Sequence, residues 1–155
     1  MSERVIYVAS GNQGKLAEIM LGVELWQRET GRRLTTRIDL LPHFAELPAC
    51  EENAGSFPGN ARKKAVHYAQ HSVERGGSPN ALVLADDSGL VVDALGGKPG
   101  IFSARYAGLN ATDAENNARL LRDLADIKPE RRTARFVCVL ALADAEGRSE
   151  EHTSE

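Results

Sequence analysis

Two neighbouring carboxylates, Asp86 and Asp87, are the residues of this chain best equipped for chemistry. They close an apolar run, Ala81 to Ala85, that reads as a buried strand, and Ser88, Gly89 and a second apolar run, Leu90 to Val92, follow at once. Side chains alternate faces along an extended chain, so two adjacent acids cannot both enter the core. At least one leaves the strand end, where open α/β sheets bind their ligands. Hard carboxylate oxygens suit Mg²⁺, and Mg²⁺ suits phosphates. Asp-Asp-Ser-Gly is equally good turn chemistry, so a plain turn between two strands is the competing reading.

Three other stretches carry groups that such a site would use. Ser10-Gly11-Asn12-Gln13-Gly14-Lys15 joins a short strand, Arg4 to Ala9, to a helical pattern from Leu16 to about Gln27. A strand, a Gly-rich loop and a helix N-terminus can present backbone N–H groups to phosphate. The loop lacks the Gly and the Ser/Thr of a Walker A motif, and ordinary strand-to-helix punctuation fits it as well. Glu51 and Glu52 lie in an irregular segment between Pro42 and Gly55, where composition alone favours a solvated loop. Arg62, Lys63 and Lys64 form a basic cluster on the next helix, a pattern that usually marks a solvated face.

The elements that must position these groups alternate between strand and helix. Leu16, Ile19, Met20, Val23 and Trp26 share one helical face, and Gly31 with Arg32-Arg33 makes a turn before a strand over Leu34 to Leu40. Ser56 is an N-cap with Pro58 in the first turn of a helix whose Phe57, Ala61, Ala65, Ala69 and Val73 recur every four residues up to Gly76-Gly77. Gly96 to Gly100 is a loop with several positions open to φ > 0. Thr112-Asp113-Ala114-Glu115 is a capping box opening a helix to about Ala125. Thr133 to Ala143 becomes apolar on both faces from Phe136, which predicts a central strand covered on both sides, and Asp144 to Gly147 is a hairpin-type turn.

At 155 residues the chain makes one domain or two tightly joined lobes. A net charge of −3 provides no basic footprint, which argues against nucleic-acid binding. Cys50 and Cys138 lie far apart, no Cys/His spacing suggests zinc, and Cys138 reads as a buried apolar residue. No signal peptide pattern and no apolar run of membrane-spanning length is visible, so a soluble cytoplasmic protein with no membrane partner is expected.

Taken together, Ala-Asp-Asp-Ser-Gly-Leu (85–90), Val-Asp-Ala-Leu-Gly-Gly-x-Pro-Gly (92–100) and Ser-Ala-Arg-Tyr-Ala-Gly (103–108) resemble the signature of the inosine triphosphate pyrophosphatase family, enzymes that hydrolyse non-standard purine nucleoside triphosphates. Ser-Gly-Asn-x-x-Lys (10–15) resembles the N-terminal nucleotide-binding motif of that family, and Asn60-Ala61-x-x-Lys64-Ala65 its helical element. The resemblance implies an α/β fold: a long, twisted, mixed sheet flanked by helices, with two lobes and a nucleotide cleft. It implies hydrolysis of ITP, dITP or XTP to monophosphate and pyrophosphate with Mg²⁺, in a homodimer. Ser10, Gly11, Asn12, Gln13, Gly14 and Lys15 would form the triphosphate loop, with Lys64 facing the phosphates and Ser88 bonded to the nucleotide. Asp87 would be general base and metal ligand together with Glu51 or Glu52, and Asp86 would orient metal or water. The match runs from about residue 4 to residue 147, which makes residues 1–147 the pyrophosphatase domain. Family members continue into further base- and phosphate-contacting motifs, whereas Arg148 to Glu155 reads as a polar tail without strand or helix signal. The expectation is a C-terminally truncated member with one exposed edge along Thr133 to Ala143. Two other readings stand beside it: a septum-associated nucleotide pyrophosphatase, and a non-catalytic nucleotide-binding or dimerising module.

Overall fold

The computed structural model describes residues 4–154; Met1 to Glu3 and Glu155, the outermost residues of the expected domain and tail, lie outside the described residues. The chain runs β1 (Val5–Val8), α1 (Gln13–Thr30), β2 (Arg37–Leu40), α2 (Phe57–Glu74), β3 (Leu82–Val92), α3 (Asp113–Asp123), β4 (Ala134–Ala143) and β5 (Ser149–Ser154), with short 3₁₀ turns between them. The five strands form one sheet in the order β2-β1-β3-β4-β5. β1 runs parallel to both β2 and β3, while β4 runs antiparallel to its neighbours β3 and β5. The mixed α/β sheet expected from the sequence is therefore present.

The helix ends follow their caps. Asn12 accepts from Gly14 N–H, and Gly31 closes α1 in the left-handed conformation at φ 67°. Ser56 caps α2 by accepting from Gly59 N–H at 3.1 Å. Thr112 and Glu115 form the reciprocal capping box on α3. α2 packs on one face of the sheet because Ala61, Ala65 and Ala69 are small enough to bring the helix close to Val83, Ala85, Val139 and Ala141.

Three features differ from expectation. Asp86 and Asp87 do not close the strand, nor do they begin the turn of the competing reading: β3 continues through them, pairing Asp86, Asp87, Ser88 and Gly89 with Leu140, Val139, Cys138 and Val137 of β4. Ladder pairing satisfies the backbone, and distant side chains satisfy the acids, so the local turn chemistry is overruled. Secondly, β4 is covered by α2 on one face only among the described residues. On the other face Phe136 and Leu140 stay 62% and 38% exposed. There α1 has no fully buried residue, and it leaves a groove of about 830 Å³ between Ile19, Val23 and Trp26 and the sheet residues Leu84, Cys138 and Leu140. Thirdly, the stretch expected to be a structureless polar tail contains β5, which pairs Ser149–Ser154 with Cys138–Ala143. The tight turn at Asp144, where Gly147 takes φ 85°, fixes the hairpin register, and a charged strand is suited to a sheet edge. The exposed edge predicted along β4 is thus covered over its C-terminal half. No helix among the described residues is long and apolar enough to cross a membrane.

Candidate active site

β1 ends early. It pairs with β3 only as far as Val8 beside Leu84, after which Ala9 N–H bonds the Leu84 carbonyl at 2.8 Å and the chain turns away. Asp86 and Asp87 lie just beyond this point, at the C-terminal end of the parallel strands rather than at the end of β3. Strict alternation along β3 puts Val83, Ala85, Asp87 and Gly89 on the α2 face and Leu84, Asp86 and Ser88 on the α1 face.

On the α1 face the Ser10–Lys15 loop lies over Asp86. Ser10 Oγ accepts Asn12 N–H at 3.0 Å, Asn12 Oδ1 accepts Gly14 N–H at 2.8 Å, and Gln13 opens the helix. Gly14 keeps this cap close, since a β-carbon there would lie 3.1 Å from Asn12 Oδ1. Lys15 Nζ reaches Asp86 Oδ1 at 2.6 Å, and Ser88 Oγ donates to Asp86 Oδ2 at 3.3 Å. The positive end of the α1 dipole, Lys15 and Ser88 are therefore gathered around one carboxylate.

On the α2 face Asp87 is only 6% exposed and accepts Asn60 Nδ2–H at 3.0 Å. Burial drives its pKa above the ordinary carboxylate range; the nearby charge of Glu52 adds to this, and the Asn60 hydrogen bond and Lys64 oppose it. Glu52 Oε1 pairs with Lys64 Nζ at 2.8 Å and Oε2 with an Arg105 N–H at 3.3 Å. Burial opposes the Glu52 charge, but Lys64 and Arg105 outweigh it and hold the carboxyl below its usual range. Burial likewise opposes the Lys64 ammonium, yet Glu52, Asp86 and Asp87 raise its pKa.

The two glutamates separate clearly. Glu51 is exposed and accepts from Asn53, whereas Glu52 turns inward among Lys64, Arg105 and Asp87. Glu52 and Asp87 thus lie with Lys64 on the α2 face, Asp86 lies with Lys15 and Ser88 on the α1 face, the charge of Lys64 is felt by all three acids, and Glu51 stands apart. Among the described residues no three acids, histidines or cysteines close into a metal cage. The donor set still fits a hard divalent cation, because Mg²⁺ is typically held by one or two carboxylates with substrate phosphates and water completing its shell.

Two residues belong to this site to which the sequence motifs that contain them assign no role. Asn60 is 0% exposed and bridges Asp87 to the loop before α2, accepting Ala54 N–H at 2.9 Å. An amide on the buried stripe of a helix, beside Ala61 and Ala65, is the signal that could have marked it. Arg105 reaches Glu52 from the Gly100–Arg105 turn, 53 residues further along the chain, and nothing local in the sequence indicates that reach.

The chain has clear relatives among known proteins. The Ham1 family profile matches residues 6–155. A dITP/XTP pyrophosphatase of Listeria monocytogenes serotype 4b (strain F2365) is 38% identical over 150 residues, covering 97% of this chain and 66% of that protein. The dITP/XTP pyrophosphatase of Exiguobacterium sibiricum is 44% identical over 147 residues, 92% of this chain and 64% of that protein. The chain thus spans just under two thirds of the length of these relatives. Among solved structures, a HAM1 protein from Coxiella burnetii superposes with a TM-score of 0.74 at 34% identity, covering 98% of this chain and 70% of that one. On the profile match and on these relatives, the chain belongs to the Ham1 family.

Proposed function

We propose that this protein hydrolyses non-canonical purine nucleoside triphosphates, ITP, dITP and XTP, to monophosphate and pyrophosphate. One observation carries the reading: just beyond the C-terminal end of β1, β3 presents Asp86 to Lys15 at the N-terminus of α1 on one face and Asp87, beside the Glu52–Lys64 pair, on the other. Relatives named dITP/XTP pyrophosphatases support it. The same proposal takes Mg²⁺ as the metal, with Asp87 and Glu52 as its ligands. From the family likeness alone it adds a homodimer working in the cytoplasm.

Each residue then has a task its environment suits. The Ser10–Lys15 loop receives the triphosphate, with Lys15 acting as a point charge. Lys64 faces charge developing on the phosphates, where a preorganised cation is most effective. Mg²⁺, when bound, supplies a Lewis acid that polarises the α-phosphate and neutralises the leaving pyrophosphate. Asp87 accepts the proton of the attacking water, and the Asn60 bond holds its carboxylate in place. Asp86 orients water or metal, and Ser88 bonds the nucleotide.

The substrate class is tested by pyrophosphate release with Mg²⁺ from ITP and dITP against dTTP and UTP. Faster release from the inosine nucleotides is expected. Preference for the pyrimidines would favour a septum-associated type of pyrophosphatase, and no release from any of them a non-catalytic module. The loop is tested by Lys15→Ala. Loss of a charged hydrogen bond is worth about 1.5–3 kcal/mol, so triphosphate affinity should fall roughly 10–100-fold. Calorimetric titration should find inosine binding nearly unchanged; equal loss for nucleoside and triphosphate would contradict the role of Lys15.

A further inference from the structure

We infer that Arg105 is a positioning residue for Glu52, fixing both its backbone and its carboxylate so that the acid meets Asp87 at the metal position. The inference rests on the proposed role of Glu52 as a metal ligand. Glu52 lies in a segment with no helix or strand between Leu47 and Phe57, so its own backbone does not hold it. Arg105 supplies the hold twice: one guanidinium nitrogen donates to Glu52 Oε2 and the other to the Glu52 carbonyl, each at 3.3 Å. Lys64 occupies the other carboxylate oxygen from α2. A planar fork spans a carbonyl and a carboxylate together, which a lysine point charge does not.

Arg105 is itself anchored to the strand that carries Asp87. It ends the 3₁₀ turn Gly100–Arg105, which lies against β3 at Gly89. Ser103 Oγ accepts Leu90 N–H at 2.9 Å and donates to the Gly100 carbonyl at 2.6 Å. Asn116 of α3 accepts Ala107 N–H at 2.8 Å and donates to the Ala104 carbonyl at 3.1 Å, gripping the chain on either side of Arg105. The guanidinium carbon sits 5.1 Å from the Phe102 ring centroid. A rigid path therefore runs from β3 through this turn to Glu52, and the two acids share one reference frame.

The test is Mn²⁺ binding to the full chain, read from the free-ion electron paramagnetic resonance signal with a non-hydrolysable α,β-methylene ITP analogue at saturation. Arg105→Lys and Arg105→Gln are compared with Glu52→Gln. Losing an outer partner of a metal ligand typically costs about 10–100-fold in metal affinity, and both Arg105 variants should fall in that range. Binding of the analogue without metal should stay unchanged, and backbone amides of residues 50–54 should exchange faster with deuterium. Glu52→Gln combined with Arg105→Lys should be no worse than Glu52→Gln alone, because one substitution has already removed what the other acts through. If Arg105→Lys binds Mn²⁺ as tightly as wild type, the positioning role is overturned. Loss of metal-free analogue binding would overturn it differently, making Arg105 a phosphate contact. If Glu52→Gln itself leaves Mn²⁺ affinity unchanged, the metal-ligand reading of Glu52 fails first, which separates the two failures. Thermal melts of each variant keep global unfolding from passing as a loss of affinity.

Discussion

Asp87→Asn is expected to cut turnover by about 10²-fold or more while making the protein more stable at neutral pH. The first effect is the usual scale for losing a general base, the role proposed for Asp87, and loss of a proposed metal ligand deepens it. The second follows from where the carboxylate lies. Asp87 is nearly fully buried, and its pKa stands above the value it has in the unfolded chain. The folded state therefore binds the proton more tightly than the unfolded state does. Its favourable contribution is complete below the unfolded pKa and is lost as pH rises through the folded one. At neutral pH the ionised Asp87 opposes folding, and an isosteric amide that still accepts from Asn60 removes that cost. Melting temperature should rise by about 2–4 °C per kcal/mol relieved, a gain that shrinks as the buffer is taken below the folded pKa. A site that is destabilising in the fold and needed for chemistry is the expected form of a stability–activity trade-off. Near-normal turnover in the variant, or a lower melting temperature at pH 7, would contradict the assignment.

Gly89→Ala should be among the most destabilising single-methyl changes in the chain. A β-carbon there would sit 2.3 Å from the Gly100 carbonyl oxygen, 2.7 Å from Ser103 Oγ and 3.0 Å from Phe57 Cε1. The nearest of these is backbone, so relief requires the Gly100–Arg105 turn to lift off β3. Overpacking typically costs about 1–3 kcal/mol, and a backbone clash belongs at the upper end. The melting temperature should drop several degrees, at about 2–4 °C per kcal/mol for a chain of this size. Gly22→Ala is the matched control. Nothing lies within 4 Å of the added carbon in the middle of α1, so it should stabilise by roughly 0.5–1 kcal/mol. Equal melting temperatures for the two variants would show that the turn does not rest on β3 as described.

Residues with local chemistry were the most legible in the sequence. The caps at Ser56 and Thr112 are set by atoms within three residues, and both form as their patterns predict. Strands β1, β3 and β4 are also announced by their apolar runs. What the sequence hid depends on distant partners. Asp-Asp-Ser-Gly reads locally as a turn, but Asn60, Lys15 and the β4 ladder satisfy those residues within a continuous strand. Glu51 and Glu52 are equivalent to any local rule, and Lys64 and Arg105 distinguish them. β5 carries no apolar alternation because it is an edge strand exposed along most of its length, so only its turn announces it. Periodicity put Ile19, Val23 and Trp26 of α1 on the side of the sheet, where the structure has them, but Met20 is exposed, and the pattern could not report that the helix stands off from the sheet across an open groove.

The central claim is that water activated by Asp87 attacks the α-phosphorus of a purine nucleoside triphosphate. Hydrolysing ITP with Mg²⁺ in heavy-oxygen water and weighing both products tests it most directly. The account predicts the labelled oxygen in the inosine monophosphate, with the pyrophosphate unlabelled. Label in the pyrophosphate would mean attack at the β-phosphorus, and release of single phosphate with inosine diphosphate would mean attack at the γ-phosphorus; either result would contradict the account.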